Sequence, residues 1–181
     1  IINCLFENNH AVGQNGYLTG HGGCVNIDGV SLSGKNKVYT VCGSTFRNNS
    51  ATKQGGVSNS VISDGKNSKA SFDKCLFEAN SVGDASNGNG GAICHIENDN
   101  TGAGNEDNFS LTNSTFYNNQ AGRQGAGLWI IIDGKGTISN CTFDSNRVQK
   151  PSGSLGGAIA FSSSGYGGSY ELTHLTFSQN H

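Results

Sequence analysis

Apolar and polar residues follow one another along this chain in an order that repeats. A phenylalanine with an asparagine three residues later occurs six times, as Phe6/Asn9, Phe46/Asn49, Phe77/Asn80, Phe116/Asn119, Phe143/Asn146 and Phe177/Asn180. Between successive copies lie two small residues followed by short apolar ones: GGCV from Gly22, GGVS from Gly55, GGAI from Gly90, GAGL from Gly125 and GGAI from Gly156. The two signatures never change order, which predicts a fold built from repeated supersecondary units.

Alignment of the repeats on the phenylalanine separates core positions from corners. The residue five places earlier is, in order, Ile1, Val41, Phe72, Leu111, Ile138 and Leu172. The residue two places earlier is Cys4, Ser44, Cys75, Ser114, Cys141 and Leu175. Both columns are predicted to face the core. Three places before the phenylalanine stand Asn3, Gly43, Lys74, Asn113, Asn140 and His174, which are mostly turn formers or solvated residues, so a corner is predicted there.

Each repeat is predicted to contain three short strands, one after the Gly pair, one after an Asp-Gly turn and one that ends in the phenylalanine. The Asp-Gly turns begin at Asp28, Asp64 and Asp133. This pattern predicts an all-β parallel β-helix of about five to six coils with three short strands per coil, a solenoid in which equivalent residues stack about 4.8 Å apart. The phenylalanines would then form a core ladder and the asparagines an amide ladder. Residues 1–181 are expected to be a single β-helix domain or a fragment of a longer one.

Composition and charge narrow the range of functions. The chain has 28 Gly, one Pro, 13% charged residues and a net charge of −2. Its Lys and Arg residues are scattered singly, which argues against a nucleic-acid partner. The longest apolar run, Leu128 to Ile132, is too short for a membrane span, so none is predicted in this segment. Within that run, Trp129 is expected either to be buried or to face a lateral partner. The abrupt start at Ile1 suggests a mature or internal fragment.

The motifs quoted above resemble the polymorphic outer-membrane protein repeats first described in chlamydiae, in which GGA followed by Ile, Leu or Val alternates with FxxN. The likeness covers essentially the whole chain and departs from the pattern at GGVS and GAGL. It implies a right-handed parallel β-helix, like that of pectin lyases. It also implies a secreted or cell-surface protein that serves as an adhesin or an extracellular scaffold.

An enzyme is the weaker interpretation, and no catalytic residue is predicted. Right-handed β-helices also include polysaccharide lyases and hydrolases, which place paired carboxylates on one face of a sheet. Here the recurring Asp28, Asp64 and Asp133 stand beside Gly, as turn residues do. The three arginines, Arg47, Arg123 and Arg147, do not share a repeat column. A carbohydrate-active fragment remains an alternative, as does a glycan-binding module with exposed aromatics such as Tyr17, Tyr117 and Tyr166.

No metal site and no cofactor are predicted. The segment from Glu97 to Asp107 contains four carboxylates among Gly and Asn, so weak calcium binding is an alternative to a plain solvated loop. It lacks the ligand spacing of an EF-hand. The five histidines fall in different phases of the repeat, which argues against zinc.

Cysteines and sequons bear on the compartment in which the protein works. Six cysteines raise the prospect of disulfides, but Cys4, Cys75 and Cys141 would be roughly 10 Å apart in their column, so buried free thiols are favoured there. Cys24 with Cys42, or Cys75 with Cys94, remain candidate pairs. Sequons for N-glycosylation occur at Asn48, Asn108, Asn113 and Asn140.

The first and last repeats shape the functional hypothesis. The chain opens and closes on the same FxxN strand, with no amphipathic capping helix. Self-association through open β-helix ends, head to tail into a filament or surface matrix, is therefore predicted, unless the ends are cuts in a longer solenoid. The expected function is that of an extracellular structural or adhesive β-helix with glycans or host-cell surface ligands as further partners.

Overall fold

The computed structural model describes residues 1–13, 19–27, 38–63, 67–84, 86–98, 108–150, 153–162 and 168–181. Within these ranges the chain is all β, and no residue lies in a helix. None of these ranges therefore contains an apolar helix able to cross a bilayer. The strands, in chain order, are β1 (Leu5–Glu7), β2 (His10–Ala11), β3 (Val25–Ile27), β4 (Val38–Cys42), β5 (Thr45–Arg47), β6 (Ser50–Ala51), β7 (Ser58–Ser63), β8 (Lys69–Asp73), β9 (Leu76–Glu78), β10 (Ser81–Val82), β11 (Ile93–Asn98), β12 (Asn108–Thr112), β13 (Thr115–Tyr117), β14 (Gln120–Ala121), β15 (Leu128–Ile131), β16 (Lys135–Asp144), β17 (Arg147–Val148), β18 (Ile159–Ser162) and β19 (Ser169–Ser178).

The strands form three parallel sheets. Sheet 1 has nine strands in the order β1-β5-β9-β13-β16-β12-β8-β4, with β19 also paired to β16. Sheet 2 contains the two-residue strands in the order β17-β14-β10-β6-β2, and sheet 3 has the order β18-β15-β11-β7-β3. Each strand therefore pairs with its counterparts in neighbouring repeats rather than with the next strand along the chain.

The register of this pairing places identical phases of the repeat side by side. In sheet 1, Phe46 is opposite Phe6 on one side and Phe77 on the other. The same register aligns Val41 with Phe72 and Phe72 with Leu111. Because parallel strands of a sheet lie about 4.8 Å apart, equivalent side chains of successive repeats touch.

The distribution of strands among the sheets differs in one respect from the sequence-based assignment. The strand that follows the Asp-Gly position and the strand that ends in the phenylalanine belong to the same sheet, and in β16 and β19 they merge into one ten-residue strand. The third sheet is made instead of the two-residue strands that follow each FxxN asparagine. Such short strands carry no detectable apolar alternation, which is why the sequence pattern does not reveal them.

Left-handed residues mark three corners in each repeat. The column predicted as a corner has φ between 51° and 60° and consists of Asn3, Gly43, Lys74, Asn113, Asn140 and His174. A second column lies two residues after each phenylalanine, at Asn8, Asn48, Ala79, Asn118, Ser145 and Gln179. The third is the first Gly of each pair, where a Cβ at Gly55 would collide with the carbonyl oxygen of Ser58. Glycine and asparagine tolerate this backbone region better than other residues, which explains their abundance.

The core lies between the sheets and is built from columns. The predicted core column five places before the phenylalanine is confirmed for its inner members, since Val41, Phe72, Leu111 and Ile138 are at most 1% exposed. Its two end members, Ile1 and Leu172, are 36% and 45% exposed at the edges of the sheet. Ile93 and Leu128 of sheet 3 are fully buried against the inner members. A second, smaller apolar cluster combines Cys94, Trp129 and Ala160. Trp129 is 8% exposed and donates its indole N–H to Ser162 Oγ at 3.2 Å. Of the two expectations for this residue, it is therefore buried rather than turned towards a lateral partner.

Candidate functional site: interior ladders and repeat edges

The six phenylalanines of the FxxN motif form one stack. Their ring centroids are separated, from Phe6 to Phe177, by 5.0, 5.1, 4.5, 4.7 and 5.4 Å, and neighbouring rings are tilted by no more than 16°. The four inner rings, Phe46, Phe77, Phe116 and Phe143, are at most 1% exposed. Stacked aromatic pairs contribute about 0.5–1.5 kcal/mol each beyond their burial, so the stack stabilises the register of every repeat.

The asparagines of the motif form a hydrogen-bonded ladder beside this stack. Asn49 Nδ2 donates to Asn80 Oδ1 at 3.0 Å, and the backbone N–H of Asn49 donates to the same oxygen at 3.0 Å. Asn49 Nδ2 also donates to the carbonyl of Phe6 at 3.1 Å. The same arrangement recurs at Asn80, Asn119 and Asn146, which are fully buried. Every bond between two asparagine side chains therefore runs in one direction, from Asn9 towards Asn180, with the Oδ1 of each asparagine accepting from the preceding repeat.

The column of alternating cysteine and serine has one shared role. The Cys75 thiol donates to the carbonyl of Asp73 at 3.2 Å, and the Ser114 hydroxyl donates to the carbonyl of Thr112 at 2.7 Å. Both side chains thus cap the carbonyl two residues earlier, next to the left-handed corner. Ser114 Oγ also accepts the backbone N–H of Cys75 at 3.1 Å. A thiol and a hydroxyl therefore make the same hydrogen bond at this position.

All six cysteines are free thiols, so neither candidate disulfide is formed. Of the three predicted to be buried, Cys75 and Cys141 are buried, but Cys4 is exposed because it lies in the first repeat, at the edge of the sheet. Burial raises the pKa of Cys24 and of Cys141, to about 12 and about 11 respectively. Burial also raises the pKa of Cys75 and of the fully buried Cys94. These thiols are protonated at neutral pH and act as small core residues.

The sequon asparagines lie in two kinds of position. Asn48, Asn113 and Asn140 are exposed at left-handed corners, whereas Asn108 is half-buried at the start of β12. Asn113 and Asn140 are direct neighbours in their column, because Asn140 Nδ2 donates to Asn113 Oδ1 at 3.3 Å.

Several described carboxylates are engaged with other side chains. Arg47 binds Glu78 at 2.7 Å and Glu7 at 3.5 Å across three repeats, and Lys53 binds Asp84 at 2.7 Å. Hydrogen bonds from the Asn113 amide and the Thr112 hydroxyl lower the pKa of Asp73. Of the recurring Asp-Gly aspartates, Asp133 is half-buried, while Asp28 and Asp64 lie outside the described residues.

Metal binding has no support in the part of the chain that the structure describes, where no three His, Cys, Asp or Glu residues come together. Of the acidic segment that prompted the calcium alternative, residues 99–107 lie outside the described ranges. Glu97 does not belong to a solvated loop, since its side chain is fully buried. Among the aromatic candidates for glycan stacking, Tyr117 is 42% exposed, while Tyr17 and Tyr166 lie outside the described residues.

A buried polar trio, Ser60, His95 and Glu97, was missed by the sequence reasoning. Ser60 Oγ lies 2.9 Å from His95 Nδ1, and His95 Nε2 lies 2.9 Å from Glu97 Oε1. All three residues are at most 1% exposed. The sequence contained a sign of this trio, because the places of His95 and Glu97 are taken in the next repeat by the apolar residues Ile130 and Ile132. Two ionisable residues at core positions of one repeat were therefore an exception to the pattern.

Large exposed apolar residues concentrate at the two edges of the sheets. At the first edge, near β1, β2 and β4, they are Ile1, Ile2, Leu5, Val12 and Val38; at the last edge, near β18 and β19, they are Leu155, Phe161, Leu172 and Phe177. Within the described ranges, Tyr117 is the one such residue away from both edges.

No family model, curated protein or solved structure matches the chain.

Proposed function

We propose that this chain is a stretch of right-handed parallel β-helix from a secreted or cell-surface protein, related to the polymorphic outer-membrane protein repeats, with a structural or adhesive role. The observation that carries the proposal is the continuity of the phenylalanine and asparagine ladders through all six repeats. A fold with three parallel sheets in common register is compatible with one coil per repeat. The repeats then act as a rigid rod segment rather than as a frame for one reaction centre.

The distribution of charged groups supports a non-enzymatic role. Glu7, Glu78 and Asp84 are bound by Arg47 or Lys53, and each of these ion pairs joins neighbouring repeats. Glu97 is buried beyond the reach of a substrate. The outer faces, with glycans or cell-surface ligands as partners, are the surfaces proposed for adhesion.

The edges suggest how such segments extend. At the last edge, Asn180 Nδ2 donates one hydrogen to the Phe143 carbonyl at 2.8 Å, and its second amide hydrogen is available to a following segment. At the first edge, Asn9 Nδ2 donates to Asn49, and Asn9 Oδ1 is available as the matching acceptor. Phe177, 53% exposed, would continue the stack onto the ring of Phe6 in a following segment. We therefore propose head-to-tail association, which does not close into a ring and so propagates as a filament.

Association is tested by sedimentation velocity over a concentration series, with negative-stain imaging of the most concentrated sample. The unaltered chain is expected to form larger species as concentration rises. Phe177→Asp should abolish them, because a carboxylate would be buried in the stack. Tyr117→Asp, at an exposed site away from the edges, is the matched control and should associate normally. A chain that stays monomeric at every concentration would contradict self-association.

The absence of catalysis is tested with a panel of acidic and neutral polysaccharides. Binding without chemical change fits the adhesive proposal. Release of unsaturated or reducing ends would overturn it in favour of a carbohydrate-active enzyme.

A further inference from the structure

Two of the four sequons lie side by side on one exposed corner of the fold. Asn113 and Asn140 occupy consecutive places in the column of left-handed residues, each with φ of 51°, and both side chains are exposed. Asn140 Nδ2 donates to Asn113 Oδ1 at 3.3 Å, so the two amides are in direct contact. The threonines that complete these sequons, Thr115 and Thr142, are paired in register. The fold thus places two complete sequons, 27 residues apart in the chain, on adjacent strands.

The distance between the two sites is fixed by backbone pairing on both sides of the corner. The backbone N–H of Asn113 donates to the Ser139 carbonyl at 3.1 Å, and that of Thr142 donates to the Ser114 carbonyl at 3.0 Å. Both β12 and β13 are paired with β16, one before the corner and one after it. Adjacent strands are about 4.8 Å apart, and the corner cannot open without breaking these hydrogen bonds.

A glycan is much larger than this spacing. In N-glycosylation the asparagine amide nitrogen bonds to the anomeric carbon of the first N-acetylglucosamine of a lipid-linked oligosaccharide, while the bond from that carbon to the lipid pyrophosphate breaks and one amide proton leaves. That first sugar with its N-acetyl group is already broader than the gap between adjacent strands. A single glycan has space, because the residues that flank the pair in the column, Lys74 and His174, are exposed and can turn aside. Two glycans on adjacent strands would overlap.

The middle residues of the two sequons show when a glycan has to be added. Ser114 and Cys141 are 2% and 1% exposed, because they face the core. A transferase must bind the chain on both sides of the asparagine, which the paired strands of the folded chain do not allow. Addition therefore precedes folding, when the two sequons are accessible independently of one another, and folding then acts on the modified chain.

We infer that Asn113 and Asn140 form a mutually exclusive pair of N-glycosylation sites, so that the folded chain carries a glycan on one or the other and chains modified at both do not reach this fold. The inference rests on the proposed secreted location, since the transfer takes place in a secretory compartment. Asn48 is modified independently, because its column neighbours, Asn8 and Ala79, belong to no sequon. The secreted population then contains two positional isomers whose glycans differ in place by one strand of sheet 1.

The test uses a reporter chain that lacks the other two sequons and is expressed with a secretory leader in a eukaryotic cell line. Asn48→Gly suits a left-handed position, and Ser110→Ala removes the second sequon while leaving Asn108 in place. The intact mass of the secreted protein, after enzymatic trimming of each glycan to its first sugar, counts the glycans on the pair. Thr115→Ala and Thr142→Ala, added one at a time, give the occupancy of each site alone.

The expected result is one glycan per secreted reporter chain. Doubly modified chains should be at least about tenfold rarer than the product of the two separate occupancies, because a steric overlap that the backbone cannot relieve raises the unfolding constant by about tenfold or more. Secreted chains with two glycans in proportion to that product would overturn the inference. The absence of a glycan from either single-site chain would overturn it as well.

A reporter that cannot fold shows whether the fold imposes the exclusion. Phe77→Asp places a carboxylate in the fully buried aromatic stack, at a position remote in sequence from both sequons, so this chain should collect both glycans inside the cell. A single glycan on the Phe77→Asp reporter would contradict the inference, since the exclusion would then arise at the transferase. Self-association and polysaccharide binding are measured separately, so the proposed function is tested independently of this result.

Discussion

At the scale of single residues, each inner side chain of the asparagine ladder makes several hydrogen bonds in the core. Asn119 Oδ1 accepts from the backbone N–H and the side-chain amide of Asn80, both at 3.0 Å. Its own amide donates to the Phe77 carbonyl and to Asn146 Oδ1, both at 2.9 Å. The side chain thus satisfies buried groups in three repeats.

Replacement of Asn119 by alanine is expected to lower the free energy of unfolding by about 3–5 kcal/mol, because several buried donors and acceptors lose their partners. Asn118→Gly is the matched control, since Asn118 is exposed with φ of 54° and glycine adopts that conformation freely. Denaturant unfolding measures both. A loss at Asn119 no larger than that at Asn118 would show that the ladder is not a stabilising element.

Thiol reactivity gives a second prediction at this scale. Because burial raises the pKa of Cys75, Cys94 and Cys141, these residues should resist alkylation at pH 8 in the folded chain, while the exposed Cys4 reacts. All six should react in urea. Cys75→Ser should change the free energy of unfolding by less than about 1 kcal/mol, since Ser44 and Ser114 already fill the adjacent places. Rapid labelling of Cys141 in the folded state would contradict this assignment.

At the scale of elements, left-handed corner residues separate most of the strands, although β16 and β19 run through the corners at Asn140 and His174. The first Gly of each pair has a positive φ, and a Cβ at Gly90 would collide with the carbonyl oxygen of Ile93. Gly90→Ala is therefore expected to destabilise the fold by about 2 kcal/mol or more, by steric overlap together with backbone strain. Gly83→Ala is the control, because a Cβ there meets no atom within 4 Å. Similar unfolding midpoints for the two variants would argue against the corner geometry.

The sequence predicted the strands in which a side chain packs on the same type of residue in the next repeat. Phe46, Phe77 and Phe116 recur because each packs on the next, and the corner at Asn113 was visible because the same backbone conformation recurs in every repeat. Strands such as Gln120–Ala121 were not visible, since two residues are too few to show alternation. Ser60, His95 and Glu97 were not recognised as a unit because the contact joins two different repeats and occurs once.

At the scale of the whole molecule, the inner repeats are paired on both sides and the outer ones on one side. Backbone amides of β9 and β13 are therefore expected to exchange with deuterium most slowly, and those of β1 most rapidly, because the protection of a strand depends on both neighbours. Hydrogen exchange followed by mass spectrometry measures this gradient. Uniform protection from β1 to β13 would indicate that the sheets open as one unit.

The one-way orientation of the asparagine amides has a consequence for the electric field of the molecule. Each carboxamide carries a dipole, and six of them in line reinforce one another much as peptide dipoles do along an α-helix. The oxygen of Asn9 gives the first edge a partial negative potential, and the amide hydrogens of Asn180 give the last edge a partial positive one. An assembly of such segments in series would be electrically polar along its length, with anions attracted to one terminus and cations to the other.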